Sequence, residues 1–209
     1  MKYYIFGRSF LSFPFKWALS LLLLTGFYSV QAQSDYLVRS VTGSVSGTST
    51  LHSWKSSITK VQVKGALKKT GNTLTSVKNV VVKIPVTGII STEGKSMDKK
   101  TYQAFKSDKN PFILYTFNTA QVQVNAAHEI TIEASGSMTM AGTTLPEDLT
   151  ATGKVLDNGD LEFSISKKLK MTSFNMKPPT ALLGTIKSGD EITLNFDLVL
   201  TQVKAVAAK

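Results

Sequence analysis

Long runs of alternating apolar and polar residues make up most of the chain after residue 58. Val61, Val63 and Leu67 alternate with polar residues, chiefly lysines, and Leu194 and Phe196 alternate with polar residues near the C-terminus. A period of two places the apolar side chains of a strand on one face, so each run predicts a β-strand with one dry and one solvated face. Strands of this kind pair in antiparallel sheets.

Turn sequences separate these runs, and the strongest of them is Asp157-Asn158-Gly159-Asp160, which favours a tight β-hairpin. Six to eight strands are predicted, several of them about 10–13 residues or roughly 35–45 Å long. Closing such a sheet into a barrel removes its exposed edges. The pattern therefore predicts an all-β fold in which an antiparallel sheet forms a barrel.

One short helix is predicted within residues 96–105. Met97, Tyr102 and Phe105 have helical spacing, and Ser96 is a suitable N-cap residue. The helix could cover the mouth of the barrel as a lid or pack against its outside, and the sequence leaves both arrangements open.

The residues that alternate inward are of two sizes, which bears on whether the barrel is hollow. The bulky ones include Ile132, Phe163 and Phe196, and the small ones are Gly65, Ala134, Gly136, Ala151 and Gly153. Small inward residues leave room, which favours a tall, narrow apolar cavity suited to a long hydrocarbon chain. The alternative is a solid core of interdigitating side chains, and the pattern does not decide between the two.

Residues 1–32 have the composition of a secretory signal peptide. Three basic residues open the segment, residues 17–30 are apolar, and Ala32 ends a small-residue cleavage site. The apolar run is short for a membrane span, so we expect cleavage near Ala32 and a periplasmic or extracellular domain of residues 33–209. An uncleaved membrane anchor is the alternative.

Charge and cysteine content narrow the range of partners. The full chain has a net charge of +10, and the part after residue 32 keeps 21 basic and 14 acidic residues, a net charge of +7. All of those basic residues except Arg39 are lysines, whereas phosphate and base recognition favour arginine, so no nucleic-acid partner is expected. A transient contact with an anionic membrane surface and a homodimer stay open. The absence of cysteine excludes disulfides and a lipoprotein anchor.

Residues 47–54 (GTSTLHSW) collect the residue types that catalysis uses, but no partner set completes a site. The two histidines are far apart and neither has a second ligand at zinc-site spacing, so no metal and no other cofactor is expected. Val45 stands where a hydrolase elbow requires its serine. We therefore expect a non-enzymatic protein. This stretch then forms a corner of the barrel, with Leu51 and Trp54 facing the interior and His52 bonded to a backbone carbonyl or a hydroxyl.

Several short motifs resemble those of the YceI-like family of exported lipid-binding proteins. The first is the run of residues 47–54, which contains Ser-Thr-Leu-His-Ser-Trp, and the later ones are residues 82–86, 97–98, 110–113, 136–142 and 174–179. The resemblance extends from about residue 44 to the last strand. One departure is the stretch of residues 112–117, which is apolar except for Thr116, whereas many family members carry a polar or charged residue there.

The resemblance implies an extended eight-stranded antiparallel β-barrel, lipocalin-like in shape, with one short helix. Its interior would be associated with a polyisoprenoid or a related long-chain amphiphile. The family also implies an extracytoplasmic location and no established catalysis.

The favoured function is an exported binding protein that sequesters or carries a long-chain apolar ligand, such as a polyisoprenoid or an isoprenoid quinone. Each buried CH₂ contributes ~0.8 kcal/mol, so a long isoprenoid can bind tightly without polar contacts. The residues expected in the apolar cavity and its rim are Leu51, His52, Trp54, Met97, Tyr102, Phe105, Phe117, Phe163, Phe174, Met176 and Phe196. A small outer-membrane β-barrel, with its apolar residues facing outward, and a lipid-acting hydrolase are the alternatives.

Overall fold

Eleven β-strands and one α-helix form in the part of the chain that the computed structural model describes, residues 36–203. The strands are β1 (Tyr36–Ser49), β2 (Ser53–Ile58), β3 (Gln62–Thr70), β4 (Thr73–Pro85), β5 (Ile89–Ser91), β6 (Phe112–Val124), β7 (Glu129–Met140), β8 (Thr143–Val155), β9 (Leu161–Lys170), β10 (Thr180–Ala181) and β11 (Ile186–Gln202). The helix α1 spans Lys95–Phe105, and short 3-10 helices span Val86–Gly88, Thr172–Phe174 and Leu182–Gly184. The predicted signal peptide, residues 1–32, lies outside the described residues.

The strands form one curled antiparallel sheet in the order β3-β4-β6-β7-β8-β9-β11-β1-β2-β5, and β10 pairs with β11. The predicted all-β antiparallel fold is confirmed, but the number of eight strands is wrong. Two of the additional strands, β5 and β10, have only three and two residues, too few for alternation to reveal them. Along residues 36–203, β1 and β3 lie next to each other without a hydrogen-bonded ladder.

The two ends of the sheet differ in what connects the strands. The first, called the Tyr36 end, has the start of β1 and tight turns at residues 71–72, 125–128 and 156–160. The second, called the Trp54 end, has the β1–β2 corner, α1, the turn at residues 141–142 and the long connection of residues 171–185.

An apolar cluster fills each end of the interior. Leu74, Ile130 and Leu161 belong to the cluster at the Tyr36 end and are at most 1% exposed. Met140 and Phe174 belong to the cluster at the Trp54 end and are fully buried. These clusters lie within residues 33–209, which form a compact unit by themselves. The predicted inward direction of the apolar residues is thus confirmed.

Strand β1 is rich in small residues because two aromatic rings pack against it. A Cβ atom at Gly43 would lie 2.7 Å from the ring of Phe196, and one at Gly47 would lie 2.6 Å from the ring of Trp54. Only glycine allows such a close approach. The small residues that weaken the hydrophobic pattern of β1 therefore position aromatic side chains of β11 and β2.

The predicted helix is confirmed, but Ser96 is not its N-cap. The helix begins at Lys95 after Gly94, whose φ of 89° suits glycine, so Ser96 lies inside the first turn. The Tyr102 hydroxyl lies 3.2 Å from the Thr87 carbonyl oxygen, just before β5, and 3.3 Å from the Ile89 carbonyl oxygen in β5, and can donate to either. No helix within residues 36–203 combines the length and the apolar character that crossing a membrane requires.

Candidate functional site

An apolar cavity of about 120 Å³ lies inside the curled sheet and is lined by members of both clusters. Three residues expected at the site, Phe117, Phe163 and Phe196, lie in its walls. This central cavity is smaller than the roughly 300–1,000 Å³ of typical ligand pockets. The interior is therefore mostly filled, and a long ligand can enter only if lining side chains move.

The free space lies beside alanines rather than beside the inward glycines. Ala134 and Ala151 face the central cavity. A Cβ atom at Gly153 would collide first with the Glu162 carbonyl oxygen and then, at 2.5 Å, with the ring of Phe163. One at Gly136 would lie 2.5 Å from the Thr116 carbonyl oxygen and 2.8 Å from the ring of Tyr115. The expectation that these glycines leave room is wrong, because backbone carbonyl oxygens and aromatic rings occupy the space that the missing Cβ provides.

Tyr115 gives the central cavity a polar but uncharged wall group. Its hydroxyl lies 3.0 Å from the carbonyl oxygens of Ala134 and Glu147 and can donate to either. Burial, and then the carboxylates of Asp148 and Glu147, raises the pKa of Tyr115 to about 12. The hydroxyl therefore stays protonated at neutral pH, with its hydrogen directed to the protein backbone.

A second cavity, the outer cavity, has a volume of about 210 Å³ and lies at the Trp54 end. Leu51, His52, Trp54 and Met97 line it, together with residues of β10 and β11. The structure thus brings together the β1–β2 corner and the helix, two regions that the sequence suggested separately.

A third and smaller cavity, the inner cavity, has a volume of about 40 Å³. Trp54, Phe105 and Met176 line it. Helix α1 contributes to the walls of both the inner and the outer cavity, so it covers the Trp54 end of the interior rather than only the outside of the sheet.

The three cavities form a row, because neighbouring cavities share wall residues. The outer and inner cavities share Trp54, Ser56, Thr101 and Pro179. The inner and central cavities share Ile113 and Leu194. Movement of a few side chains would therefore join the row into one passage from the surface to the middle of the barrel.

Methionine is concentrated along this row. The chain has five methionines after Met1, and all of them line it: Met97 the outer cavity, Met140, Met171 and Met176 the inner cavity, and Met138 the central cavity. The methionine side chain is unbranched and flexible, so it adapts to partners of different shape. The walls of the row are therefore well suited to rearrangement.

The sheet opens between β8 and β9 beside the central cavity. The hydrogen-bonded ladder between the two strands includes only residues 151–155 of β8. The first half of β8 therefore diverges from the second half of β9. Lys167 spans the gap, with its ammonium 2.7 Å from the Glu147 carboxylate and 2.7 Å from the Asp148 carbonyl oxygen, to which it donates. Because Lys167 also lines the central cavity, this ion pair closes one side of it.

Trp54 is fixed as the wall between the inner and outer cavities. Its indole Nε1 donates to the Thr48 carbonyl oxygen at 2.9 Å and to the Ser188 hydroxyl at 3.1 Å. Ser56, two residues further along β2, is 3% exposed and lies in the same wall. The sequence analysis missed Ser56, although the period of two in β2 places it on the same face as Trp54.

The corner at residues 50–52 differs from the expectation. Leu51 is 66% exposed, so its predicted inward orientation is wrong. Ser49 holds this turn, since its hydroxyl donates to the His52 carbonyl oxygen at 2.7 Å and accepts from the backbone N–H groups of Leu51 and His52. This tight backbone turn directs the Leu51 side chain away from the interior. The His52 ring lies 2.8 Å from the Ser53 carbonyl oxygen, which is a bond to a backbone carbonyl, but the residue is exposed.

Phe174 and Tyr102 support the site from behind. Phe174 is fully buried in the cluster at the Trp54 end. Tyr102 binds the carbonyl oxygens beside β5, and burial, with a smaller effect of Asp98, raises the pKa of its hydroxyl above the ordinary value. The structure therefore places these two predicted site residues in the framework that holds the cavity walls.

The hydrolase alternative would use Ser49 and His52, and the structure shows the hydrogen bonds of both residues. Within residues 36–203 the Ser49 hydroxyl bonds backbone groups, and the recorded partner of the His52 ring is a carbonyl oxygen rather than a carboxylate. The same part of the chain has no group of three His, Cys, Asp or Glu side chains placed to hold a metal ion. The arrangement offers a row of apolar cavities with a few polar groups at its outer part.

Comparison with known families agrees with this architecture. A family model for the YceI-like domain matches residues 34–200. The chain belongs to the YceI-like family. No protein of curated function matches the chain at a significant level.

Solved structures from this family and its neighbours share the fold at low identity. BcnA of Burkholderia cenocepacia is 16% identical, with a TM-score of 0.54 over 77% of this chain and 96% of its own. A polyisoprenoid-binding domain from Saccharophagus degradans, implicated in plant cell wall breakdown, is 9% identical, with a TM-score of 0.60 over 82% of this chain and 100% of its own. A mutant YceI protein of Campylobacter jejuni is 19% identical, with a TM-score of 0.51 over 69% and 82%.

Proposed function

We propose that this YceI-like protein binds a long-chain apolar lipid, of the polyisoprenoid or isoprenoid-quinone type, in the barrel interior, and so carries or sequesters it. The observation that carries the proposal is the row of three cavities with methionine in all of their walls. Membership in the family and the structural likeness to a polyisoprenoid-binding domain support it. Binding rather than catalysis is the proposed activity.

The binding free energy would come from removing the hydrocarbon chain from water. Each buried CH₂ contributes ~0.8 kcal/mol, so even a chain that fills part of the barrel binds without directional contacts. The row is narrow when empty, and the ligand would open it by displacing flexible side chains such as Met138 and Met176. The penalty of that rearrangement is smaller for methionine than for branched side chains, because methionine has more rotamers of similar energy.

The polar end of the ligand would lie in the outer cavity. Ser56 and His52 supply hydrogen-bonding groups there, and the lining includes Glu93 but, among the described residues, neither lysine nor arginine. A diphosphate head would meet a carboxylate with no cation in the wall to balance it. An uncharged head, such as a quinone or an alcohol, therefore fits this cavity better.

Lipid analysis of the purified protein tests the proposal. We expect mass spectrometry of an organic extract to find a long-chain isoprenoid at a defined molar ratio to the protein. Ala151→Leu should lower that ratio several-fold, because its larger side chain enters the central cavity. Thr152→Leu is the matched control, since residue 152 is exposed on the opposite face of β8 and should leave the ratio unchanged.

An empty protein that also fails to take up a labelled isoprenoid would contradict lipid binding. Equal ligand content in the Ala151→Leu protein and the wild type would place the ligand outside the barrel. A carrier should stay in aqueous solution without detergent and contain the lipid. A small outer-membrane β-barrel should require detergent to stay in solution.

We further propose that the protein is exported and cleaved near Ala32. The support is the basic and apolar pattern of residues 1–32. N-terminal sequencing of the protein from an extracytoplasmic fraction tests this. A start within a few residues of residue 33 is expected, and recovery of the uncleaved chain from membranes would support the anchor alternative.

A further inference from the structure

Three exposed leucines lie beside the mouth of the outer cavity, where the described structure gives them little apolar contact. Leu51 is 66%, Leu182 71% and Leu183 109% exposed. Leu51 lines the outer cavity, and so does Ala181, which directly precedes Leu182. These three residues are called the leucine tip.

The leucine tip is held together by backbone contacts rather than by burial. The Thr50 N–H donates to the Lys187 carbonyl oxygen at 3.0 Å, and the Thr50 hydroxyl donates to the Thr185 carbonyl oxygen at 3.4 Å. These bonds connect the corner that bears Leu51 to the segment that bears Leu182 and Leu183. The apolar side chains are thus presented from one connected structure.

The backbone at the leucine tip is unfavourable for leucine in isolation. Leu182 and Leu183 have positive φ angles of 45° and 54°, in a region that branched side chains rarely adopt. Exposure to water adds to that penalty, since neither side chain is buried. A contact that buries the leucines would offset both effects, and residues 36–203 do not supply one, since Leu182 and Leu183 are 71% and 109% exposed.

The charges around the leucine tip point to the nature of that contact. Residues 177–187 (KPPTALLGTIK) begin and end with exposed lysines and contain no acidic residue. Lys100 of α1 adds a third cation, because its ammonium donates to the Thr180 carbonyl oxygen at 2.5 Å. Apolar side chains flanked by lysine are complementary to an anionic bilayer, in which the acyl region accepts the leucines and the head groups accept the ammonium groups.

We propose that the leucine tip docks the Trp54 end on an anionic lipid bilayer. Three side chains are too few for a stable protein interface, which buries ≈ 800 Å² on each partner, but they suffice for a weak and reversible membrane contact. Docking there would bring the mouth of the outer cavity against the membrane. The inference goes beyond lipid binding in the barrel, because a bilayer contact requires no ligand inside.

Vesicle sedimentation with residues 33–209 tests the docking proposal. This unit is compact by itself and contains the whole family match, and it lacks the apolar residues 17–30, which could bind vesicles on their own. We expect binding to vesicles of phosphatidylcholine with phosphatidylglycerol, and weaker binding to phosphatidylcholine alone. Added salt should reduce the binding, because it screens the lysines.

A double variant and a matched control identify the surface. Leu182→Ser with Leu183→Ser should weaken vesicle binding at least about tenfold, since two apolar contacts with the bilayer are lost. Leu37→Ser is the control: Leu37 is 59% exposed at the Tyr36 end, so its loss should leave vesicle binding unchanged. Equal binding by the double variant and the wild type would overturn the proposal, and so would an equal loss in the Leu37→Ser protein.

Failure of docking and failure of lipid binding give different results. The double variant should keep the ligand content of the wild type in an organic extract, because neither leucine lines the cavities. An empty protein that still binds anionic vesicles through the leucine tip would leave the docking proposal standing and contradict the proposed function. A protein that contains the isoprenoid but binds no vesicles would contradict the docking proposal and leave the proposed function standing.

Discussion

The two ends of the barrel hold their strands together by different means. At the Tyr36 end the Asp160 carboxylate accepts from Arg39 at 2.6 Å and from Asn158 at 3.0 Å. Lys69, at the β3–β4 turn, donates to the Gly159 carbonyl oxygen at 2.7 Å. The turn between β8 and β9 is thereby bonded to β1 and β3. At the Trp54 end polar contacts such as those of Trp54 and Asp190 lie beside the outer and inner cavities, flexible methionines and the gap between β8 and β9.

The difference assigns separate tasks to the two ends. A polar network with fixed geometry and short turns keeps the strands in register at the Tyr36 end. At the Trp54 end long connections and soft side chains allow the interior to change volume. A barrel with one fixed base and one adaptable mouth can admit a large ligand without unfolding.

The largest expected effect is on packing, and it differs between the ends. Leu161→Ala should lower the free energy of unfolding by about 2–5 kcal/mol, because the surrounding core cannot collapse onto the void. Met176→Ala leaves a void that the flexible methionines of the inner cavity can partly fill, so we expect a smaller loss of about 2 kcal/mol. Urea unfolding of both variants measures the difference. Equal losses would show that the Trp54 end is packed as rigidly as the Tyr36 end.

The second prediction concerns pH. Hydrogen bonds from the side chains of Thr201, Arg39 and Asn158 hold the pKa of Asp160 below its ordinary value. The carboxylate thus stabilises the fold above the pKa of the unfolded chain, about 4, and this contribution is lost as the pH falls through the lower folded-state pKa. Asp160→Asn should lower the melting temperature at neutral pH, and the difference from the wild type should shrink below pH ~4.

Asp190 is the counterpart of Asp160 at the Trp54 end. Hydrogen bonds from the side chain and backbone of Thr172 lower the pKa of its carboxyl group, but they join β11 only to the segment that directly follows its paired neighbour β9. Asp190→Asn should therefore lower the melting temperature less than Asp160→Asn does. A larger effect at Asp190 would mean that the polar network of the Tyr36 end does not hold the barrel together.

The sequence predicts the Tyr36 end better than the Trp54 end, for a physical reason. Alternation and the turn of residues 157–160 depend on neighbours in the chain, so the strands and this hairpin follow directly from the sequence. The short strands β5 and β10 and the gap between β8 and β9 depend on which distant segments meet. The local sequence pattern contains no information about contacts between segments that are distant in the chain.

The candidate site shows the same division between local and distant causes. Inward positions such as Phe163 and Phe196 follow from a period of two, and they line the central cavity. Leu51 was placed wrongly because it lies in a corner, where alternation stops. The role of Gly153 was also misjudged, since only the fold shows that the ring of Phe163 fills its space.

The third prediction tests the gap between β8 and β9. Lys167→Met leaves the partly buried Glu147 carboxylate without its ammonium partner, so we expect a loss of about 1–2 kcal/mol in unfolding free energy. Release of a bound labelled isoprenoid should become faster, because the ion pair no longer closes this side of the central cavity. Lys168→Met is the control: its pair with Glu191, at 3.3 Å, is exposed and should contribute less than about 0.5 kcal/mol. Unchanged release from the Lys167→Met protein would show that the gap does not admit ligand.

The smallest effect is expected at His52, the residue that most suggests chemistry in the sequence. The residue is exposed and its ring hydrogen-bonds the adjacent Ser53 carbonyl oxygen, so His52→Ala should change the free energy of unfolding by no more than about 0.5 kcal/mol. Ser49→Ala should cost more, about 1 kcal/mol, because its hydroxyl holds the turn. Retained isoprenoid content in the His52→Ala protein would fit a rim residue that touches at most the polar end of the ligand. If the substitution instead abolished a measurable lipid hydrolysis while the melting temperature stayed constant, the adaptable mouth would have to be reinterpreted as an active site.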